Sequence, residues 1–426
     1  MNLFIVLAVL CSPFVQLGAS YWVSGATTVL LLVLLSARYR SLYLHYSKNH
    51  HDIALDVTAV LLMFTPVLLQ ESGDFSHDIL LNARLAFFYV LLIWVVRGFS
   101  IPDFFKVKPG KTLALVIMSV SGVMLIFALI QLVKLRGGYF GLPKTWYVTN
   151  YEMLPGELDT LWAKSFRPFC TFGEPSYLAF FCISFLMPAF RMCLTKKYRK
   201  IGLITSAFLL CTGAASQSLA FLFALGILIV PATYIYLKST KISGVAFGGI
   251  VGSLILAGGL ATLAAMTILS WIGVNILGDR FGNIASGQDT SASLRIFAPL
   301  VILPKVFIGH PLGILGSEML DTVTGYTAEA GLGFVKVIDN ALFNTFFFFG
   351  LTAFFLIYRL LRAASAPLMI IYIFSCFNFN GDIFSVDKVA LIGLSIALFK
   401  AFSPEIEPVF KLTLKPFSVT QQVPAA

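Results

Sequence analysis

The sequence predicts an all-α polytopic membrane protein of about 12 transmembrane helices, and three observations carry that prediction. First, 58% of the 426 residues are hydrophobic and only 12% are charged, with 41 Phe and a mean hydropathy of +0.89. A soluble domain carries about 25% charged residues, roughly twice as many. Second, apolar runs of span length recur along the chain, bounded by charged or turn residues. Third, the basic residues gather at alternate connections between those runs. Twelve spans of ~20 residues place about 240 residues in lipid and leave about 190 for loops and ends. That remainder excludes a large soluble ATPase or sugar-nucleotide domain, so residues 1–426 read as a single integral membrane domain.

The runs fall at 2–18, 20–36, 53–70, 79–97, 112–134, 175–194, 201–215, 217–237, 243–275, 341–361, 366–382 and 387–402. The first has no basic residue ahead of its apolar core, and Leu10 stands before Cys11 where a lipoprotein signal needs a small residue. It therefore reads as a retained helix rather than a cleaved signal. The runs at 201–215 and 217–237 are short, and 243–275 is long enough to hold a kink or re-entrant turn around Gly258-Gly259.

With the N-terminus inside, the cytoplasmic connections hold Arg38, Arg40 and Lys48; Arg97, Lys106, Lys108 and Lys111; Arg191, Lys196, Lys197, Arg199 and Lys200; Lys238 and Lys241; Arg359 and Arg362; and Lys400, Lys411 and Lys415. These are 19 of the 30 basic residues, as the positive-inside rule requires. Both termini are expected in the cytoplasm. The net charge of +10 thus marks topology and gives no reason to expect a nucleic-acid partner. The six cysteines lack CxxC spacing and read as small packing residues, with neither a disulfide framework nor a zinc site.

Two long loops lie on the other face, roughly 135–174 and 276–340. Neither is low-complexity or highly charged, so both are expected to be ordered and functional. In the first, Arg167 precedes Glu174-Pro175-Ser176 at the entry to a span. Glu174 reads either as a helix cap or as a carboxylate at the membrane surface that binds a polar substrate or acts as a base. The second loop holds Asp279-Arg280, Asp289-Thr290-Ser291, Arg295, Lys305 and His310, and its 295–308 stretch is apolar enough to lie on the membrane as a surface helix. Arginine forks bind phosphate oxygens bidentately, so Arg280 and Arg295 suit a diphosphate-linked lipid; ion pairing with Asp279 and Asp289 is the plainer reading. The glycines of 309–316 lack the P-loop pattern and read as a tight turn beside a ligand. His310 is either a ligand contact or a structural hydrogen-bonder. Asp339-Asn340 stands before the run at 341–361, where either residue caps a helix or Asp339 serves as a base at the wall of a cleft. Arg84, about six residues inside its span, is a further candidate contact unless it snorkels to the interface. No HExxH, DxD or GxSxG pattern occurs, so a reaction without metal or cofactor is expected.

These features together resemble a known family. Glu174-Pro175-Ser176 enters a span, Ala215-Ser216-Gln217-Ser218-Leu219 follows, and the loop from Arg280 through Asp289-Thr290-Ser291 to Arg295 and Pro311-Leu312-Gly313 leads to Asp339-Asn340. Over roughly residues 165–400 this resembles the Wzy-type bacterial polysaccharide polymerases, most closely the colanic acid polymerase branch. The resemblance implies a multi-pass inner-membrane enzyme with a glycosyltransferase-C-like helical bundle, related to the O-antigen ligases. It implies transfer of a growing exopolysaccharide from undecaprenyl diphosphate onto the next lipid-linked repeat unit at the periplasmic face. It also implies a flippase and a chain-length regulator as pathway partners. Carried onto this chain, Arg280 and Arg295 become diphosphate contacts with Arg167 as a third, and His310, Asn340 and Arg84 further substrate contacts. Ligases have His-Asn where this chain has Asp339-Asn340, which leaves Asp339 or Glu174 as the base. An O-antigen ligase-type transferase and a lipid-linked oligosaccharide flippase are the competing readings.

Overall fold

A backbone in hydrocarbon must satisfy its own hydrogen bonds, which long apolar runs do by folding as helices. The computed structural model describes residues 42–71, 73–100, 111–135, 175–195, 197–216, 297–332, 340–363 and 386–402, with single positions 168, 170, 218, 221, 225, 226, 228 and 295 between them. The expected spans at 2–18, 20–36, 243–275 and 366–382 lie outside these residues, as does nearly all of 217–237. Among the described residues every regular element is a helix.

Three of these helices are long and apolar enough to cross a bilayer: α1 (His50–Leu69), α2 (Phe75–Ser100) and α3 (Lys111–Leu135). Their outward faces carry exposed Leu61, Leu68, Leu80, Phe87, Val123 and Ile126, which a lipid environment accommodates and water does not. α2 begins where Asp74 accepts the His77 N–H at 3.1 Å and the Ser76 hydroxyl at 2.8 Å.

α4 (Pro175–Leu194) occupies the expected sixth span and is the axis of the described bundle. Every residue from Leu178 to Ala189 is buried, the signature of a helix packed on all sides. α5 (Arg199–Ala215) folds back along it, α3 packs on α5, and α10 (Val386–Ala401) lies against α4 and α2. Pro188 has no N–H to give the Ser184 carbonyl one turn earlier. The hydroxyl of Ser395 on α10 donates to that carbonyl instead, so the acceptor the proline leaves free is used between the two helices.

The run at 341–361, expected as one span, is two helices: α8 (Ala341–Phe349) and α9 (Thr352–Ala363), broken at Gly350. Gly350 has φ +52°, and a Cβ there would strike the Pro311 carbonyl and the Gly313 backbone. The Leu351 N–H goes to Pro311 O at 2.8 Å and the Ile314 N–H to Phe347 O at 2.7 Å. The break is therefore filled by the 311–314 segment, a contact that no hydropathy profile contains.

The 295–308 stretch, expected as a helix on the membrane surface, folds as the helix α6 (Ala298–Gly309), followed by α7 (Met319–Glu329). α6, α7 and α8 enclose a second, smaller core of Ala298, Ile302, Val306, Ile314, Val323, Phe343 and Phe347. On its other face α6 exposes Leu300, Val301 and Ile308. Lys305 at its edge pairs with Glu329 of α7 at 2.8 Å.

Candidate functional site

The site begins with a helix start. Asn340 has extended backbone (φ −142°, ψ 102°) and accepts the N–H groups of Leu342 and Phe343 at 3.1 Å each. These are orphan donors of the first turn of α8, which an Asn at this position satisfies well. Its Nδ2 donates to the Arg295 carbonyl at 2.6 Å across 45 positions of sequence. Asn340 is fully buried and spends its oxygen and one N–H on protein backbone. The structure thus selects Asn340 as the cap, and it brings half-buried Arg295 to the N-terminus of α8.

His310 stands elsewhere. α6 has 12 residues and so extends about 18 Å, with Arg295 before its start and His310 at its far end. The His310 N–H closes the helix onto Val306 O at 2.7 Å, and its ring meets Tyr326 edge-on at 6.1 Å. Arg84 lies on the exposed side of α2, on the same face as exposed Leu80 and Phe87, where a long side chain snorkels. Arg167, Glu174, Arg280 and Asp339 lie outside the described residues. Among the described residues, no three of His, Cys, Asp and Glu converge as a metal site.

Side chains that the sequence reading passed over hold the loops in place. Asp78, fully buried in α2, accepts both the N–H and the hydroxyl of Ser317, at 2.8 and 2.7 Å. Gln70 donates to Gly313 O at 3.0 Å, and Gly313 (φ +109°) packs against the backbone of Phe348. Gly313 therefore serves close approach between two backbone segments of the protein itself, while Gly309 and Gly316 make room for the side chains of Tyr326 and Leu81. Gln131, fully buried near the end of α3, bonds both backbone atoms of Cys170. Each of these residues is a polar side chain interrupting or flanking an apolar run, and that was the signal available in the sequence.

A separate charge cluster lies at the opposite end of α1 and α2. Arg97 donates to Asp52 at 2.8 Å, and Arg359 of α9 bonds Asp56 at 2.6 Å and approaches Asp52 at 3.4 Å. His45 and the Tyr46 hydroxyl complete it, on Asp52 and Asp56 respectively. Both arginines, which the sequence assigns to basic connections, are almost wholly buried. Two carboxylates against two guanidinium groups make it charge-balanced.

A family model described as WcaD colanic acid polymerase matches residues 1–401. No curated protein and no solved structure matches the chain.

Proposed function

The chain belongs to the WcaD colanic acid polymerase family, and from that premise we propose that it joins undecaprenyl-diphosphate-linked repeat units at the periplasmic face of the inner membrane. The family makes it a membrane-embedded polysaccharide polymerase; the carrier, the face and the chemistry are our reading. The bond between Asn340 and the Arg295 carbonyl carries it, because it sets an arginine beside the start of α8, the helix that Asp339 precedes. In this scheme the guanidinium of Arg295 reaches the departing diphosphate from that backbone position.

In this mechanism the acceptor hydroxyl oxygen attacks the anomeric carbon of the donor glycan from the face opposite the diphosphate. The new C–O bond forms as the old one breaks, the configuration inverts, and undecaprenyl diphosphate departs with the bonding pair. The hydroxyl proton passes to a carboxylate, Asp339 or Glu174. The donor arrives activated, so the protein's tasks are alignment, proton acceptance and charge stabilisation, and arginines supply the last without a metal. Arg280 and Arg167 are the further diphosphate contacts in this scheme. His310 at the far end of α6 and Arg84 on the outer face of α2 are assigned to more distant parts of the lipid-linked glycan and its carrier.

Arg295→Ala in proteoliposomes supplied with lipid-linked repeat units is expected to abolish glycan extension while the protein stays in the membrane at normal level. Arg295→Lys is expected to restore part of it, because an ammonium keeps the charge but loses the planar fork. Undiminished polymer length in the alanine variant would sink the proposal. A flippase would move the units across the vesicle wall without lengthening them. An O-antigen ligase would transfer glycan to a different acceptor.

A further inference from the structure

Gln131 lies one turn from the end of the apolar helix α3 and is fully buried. Its carboxamide serves one backbone residue at two points: Nε2 donates to the Cys170 carbonyl at 2.9 Å, and Oε1 accepts the Cys170 N–H at 2.7 Å. The side chain thereby imitates one rung of a β-ladder, satisfying a donor and an acceptor that burial would otherwise leave costly. The Cys170 thiol reaches on to the Met124 carbonyl at 3.4 Å, two turns deeper in α3. Cys170 is thus held against α3 in the protein interior, five positions before α4 begins at Pro175.

A second observation marks the same residue. Cys170 has φ +53°, the only positive φ outside glycine among the described residues. That conformation is unfavourable for a side chain with a Cβ and persists where the surroundings over-determine it. Here both backbone atoms of Cys170 are held by Gln131, and its side chain is fully buried.

We propose that Gln131 is a positioning residue of the polymerase: gripping Cys170 at both backbone atoms, it fixes the depth at which the first long loop enters α4. Cys170 stands three positions after Arg167 and four before Glu174 in sequence, which is the link from Gln131 to the two candidate site residues. This rests on the polymerase reading above. The chemistry predicts which replacements work. In Gln131→Glu, the protonated carboxyl offers one donor and one acceptor, as the amide does. The ionised carboxylate offers acceptors alone and repels the Cys170 carbonyl. The side chain of Gln131→Leu offers neither.

The test uses full-length protein in proteoliposomes, in a version keeping Cys170 as its only cysteine, with two readouts. The first is the rate at which a small maleimide labels Cys170. The second is glycan extension measured across pH. Gln131→Leu is expected to speed labelling at least about tenfold and to slow extension by about a hundredfold, the effect of a misplacement of about 1 Å at a reacting group. Gln131→Glu is expected to extend glycan at low pH and to lose that activity as pH rises through the carboxyl's titration, a slope that the Gln131 protein lacks. Slow labelling in Gln131→Leu would overturn the grip. Fast labelling with undiminished extension would overturn the positioning role while the polymerase reading stood. Failure of that reading shows differently, as Gln131 protein that lengthens no glycan, and labelling then decides the grip by itself.

Discussion

At Asn340 one carboxamide does two jobs that separate chemically. Its oxygen caps α8, and its nitrogen ties the Arg295 carbonyl to that cap. Asn340→Asp keeps a good capping oxygen but turns the donor facing Arg295 into a second acceptor. We expect this variant to insert and remain folded while glycan extension falls at least about tenfold, the factor that about 1.4 kcal/mol represents. Asn340→Ala loses the cap as well, which costs typically about 1 kcal/mol. Equal extension by the aspartate variant and the parent, measured on lipid-linked repeat units, would detach Arg295's placement from function. At this scale the sequence showed Asp339-Asn340 as a helix start and left open which residue was the cap. The choice needed the Arg295 carbonyl, 45 positions away, because a cap is selected by what its unused atoms meet.

Among the helices, the buried charges decide where α9 sits. Arg359 is fully buried and spans Asp56 and Asp52 of α1, while Arg97 of α2 holds Asp52 from the other side. Removing one member leaves an opposite charge buried without compensation, which costs about 3–5 kcal/mol; replacing a pair by neutral groups of similar size is often tolerated. Arg359→Met is therefore expected to lower the melting temperature and the yield of folded protein in detergent. Adding Asp56→Asn is expected to recover part of the loss, with non-additivity of about 0.5–3 kcal/mol between the two sites. Strictly additive losses would show that the contact carries no coupling. The run at 53–70 takes in Asp56, which lies inside α1, whereas Arg359, expected at a basic connection, is fully buried within α9. Their partnership did not show, because it joins residues 303 positions apart. The two-helix form of 341–361 was hidden for a similar reason: each half is apolar, and the break comes from the segment that fills it.

Across the whole molecule, the loop ties and the charge cluster define opposite ends of the bundle. Gln70, Asp78 and the 313–317 segment meet at one end, and Asp52, Asp56, Arg97 and Arg359 meet at the other. Thr195 after α4 bonds Phe402 O after α10 at 3.1 Å, bringing together two of the basic connections. Single cysteines at Glu71 and Glu318 are expected to react with a membrane-impermeant thiol reagent added to the periplasmic side, and one at Lys197 only after the membrane is opened. Labelling of Lys197→Cys from outside would invert the proposed orientation.

The sequence by itself determined that the chain is helical and membrane-embedded, where the described membrane helices run, and which family it resembles. Those properties are sums over local residues, since the cost of an unpaired backbone in lipid and the benefit of apolar length accrue residue by residue. The tertiary structure alone decided that Asn340 caps α8 and holds Arg295, that His310 stands a helix length away, that Gly350 breaks a span, and that Gln131 and Asp78 grip the two long loops. Apart from the separation of His310, which the length of α6 sets, each of these is a pairing between remote segments, and the hydrogen bond or close approach that makes it exists only once the chain has folded.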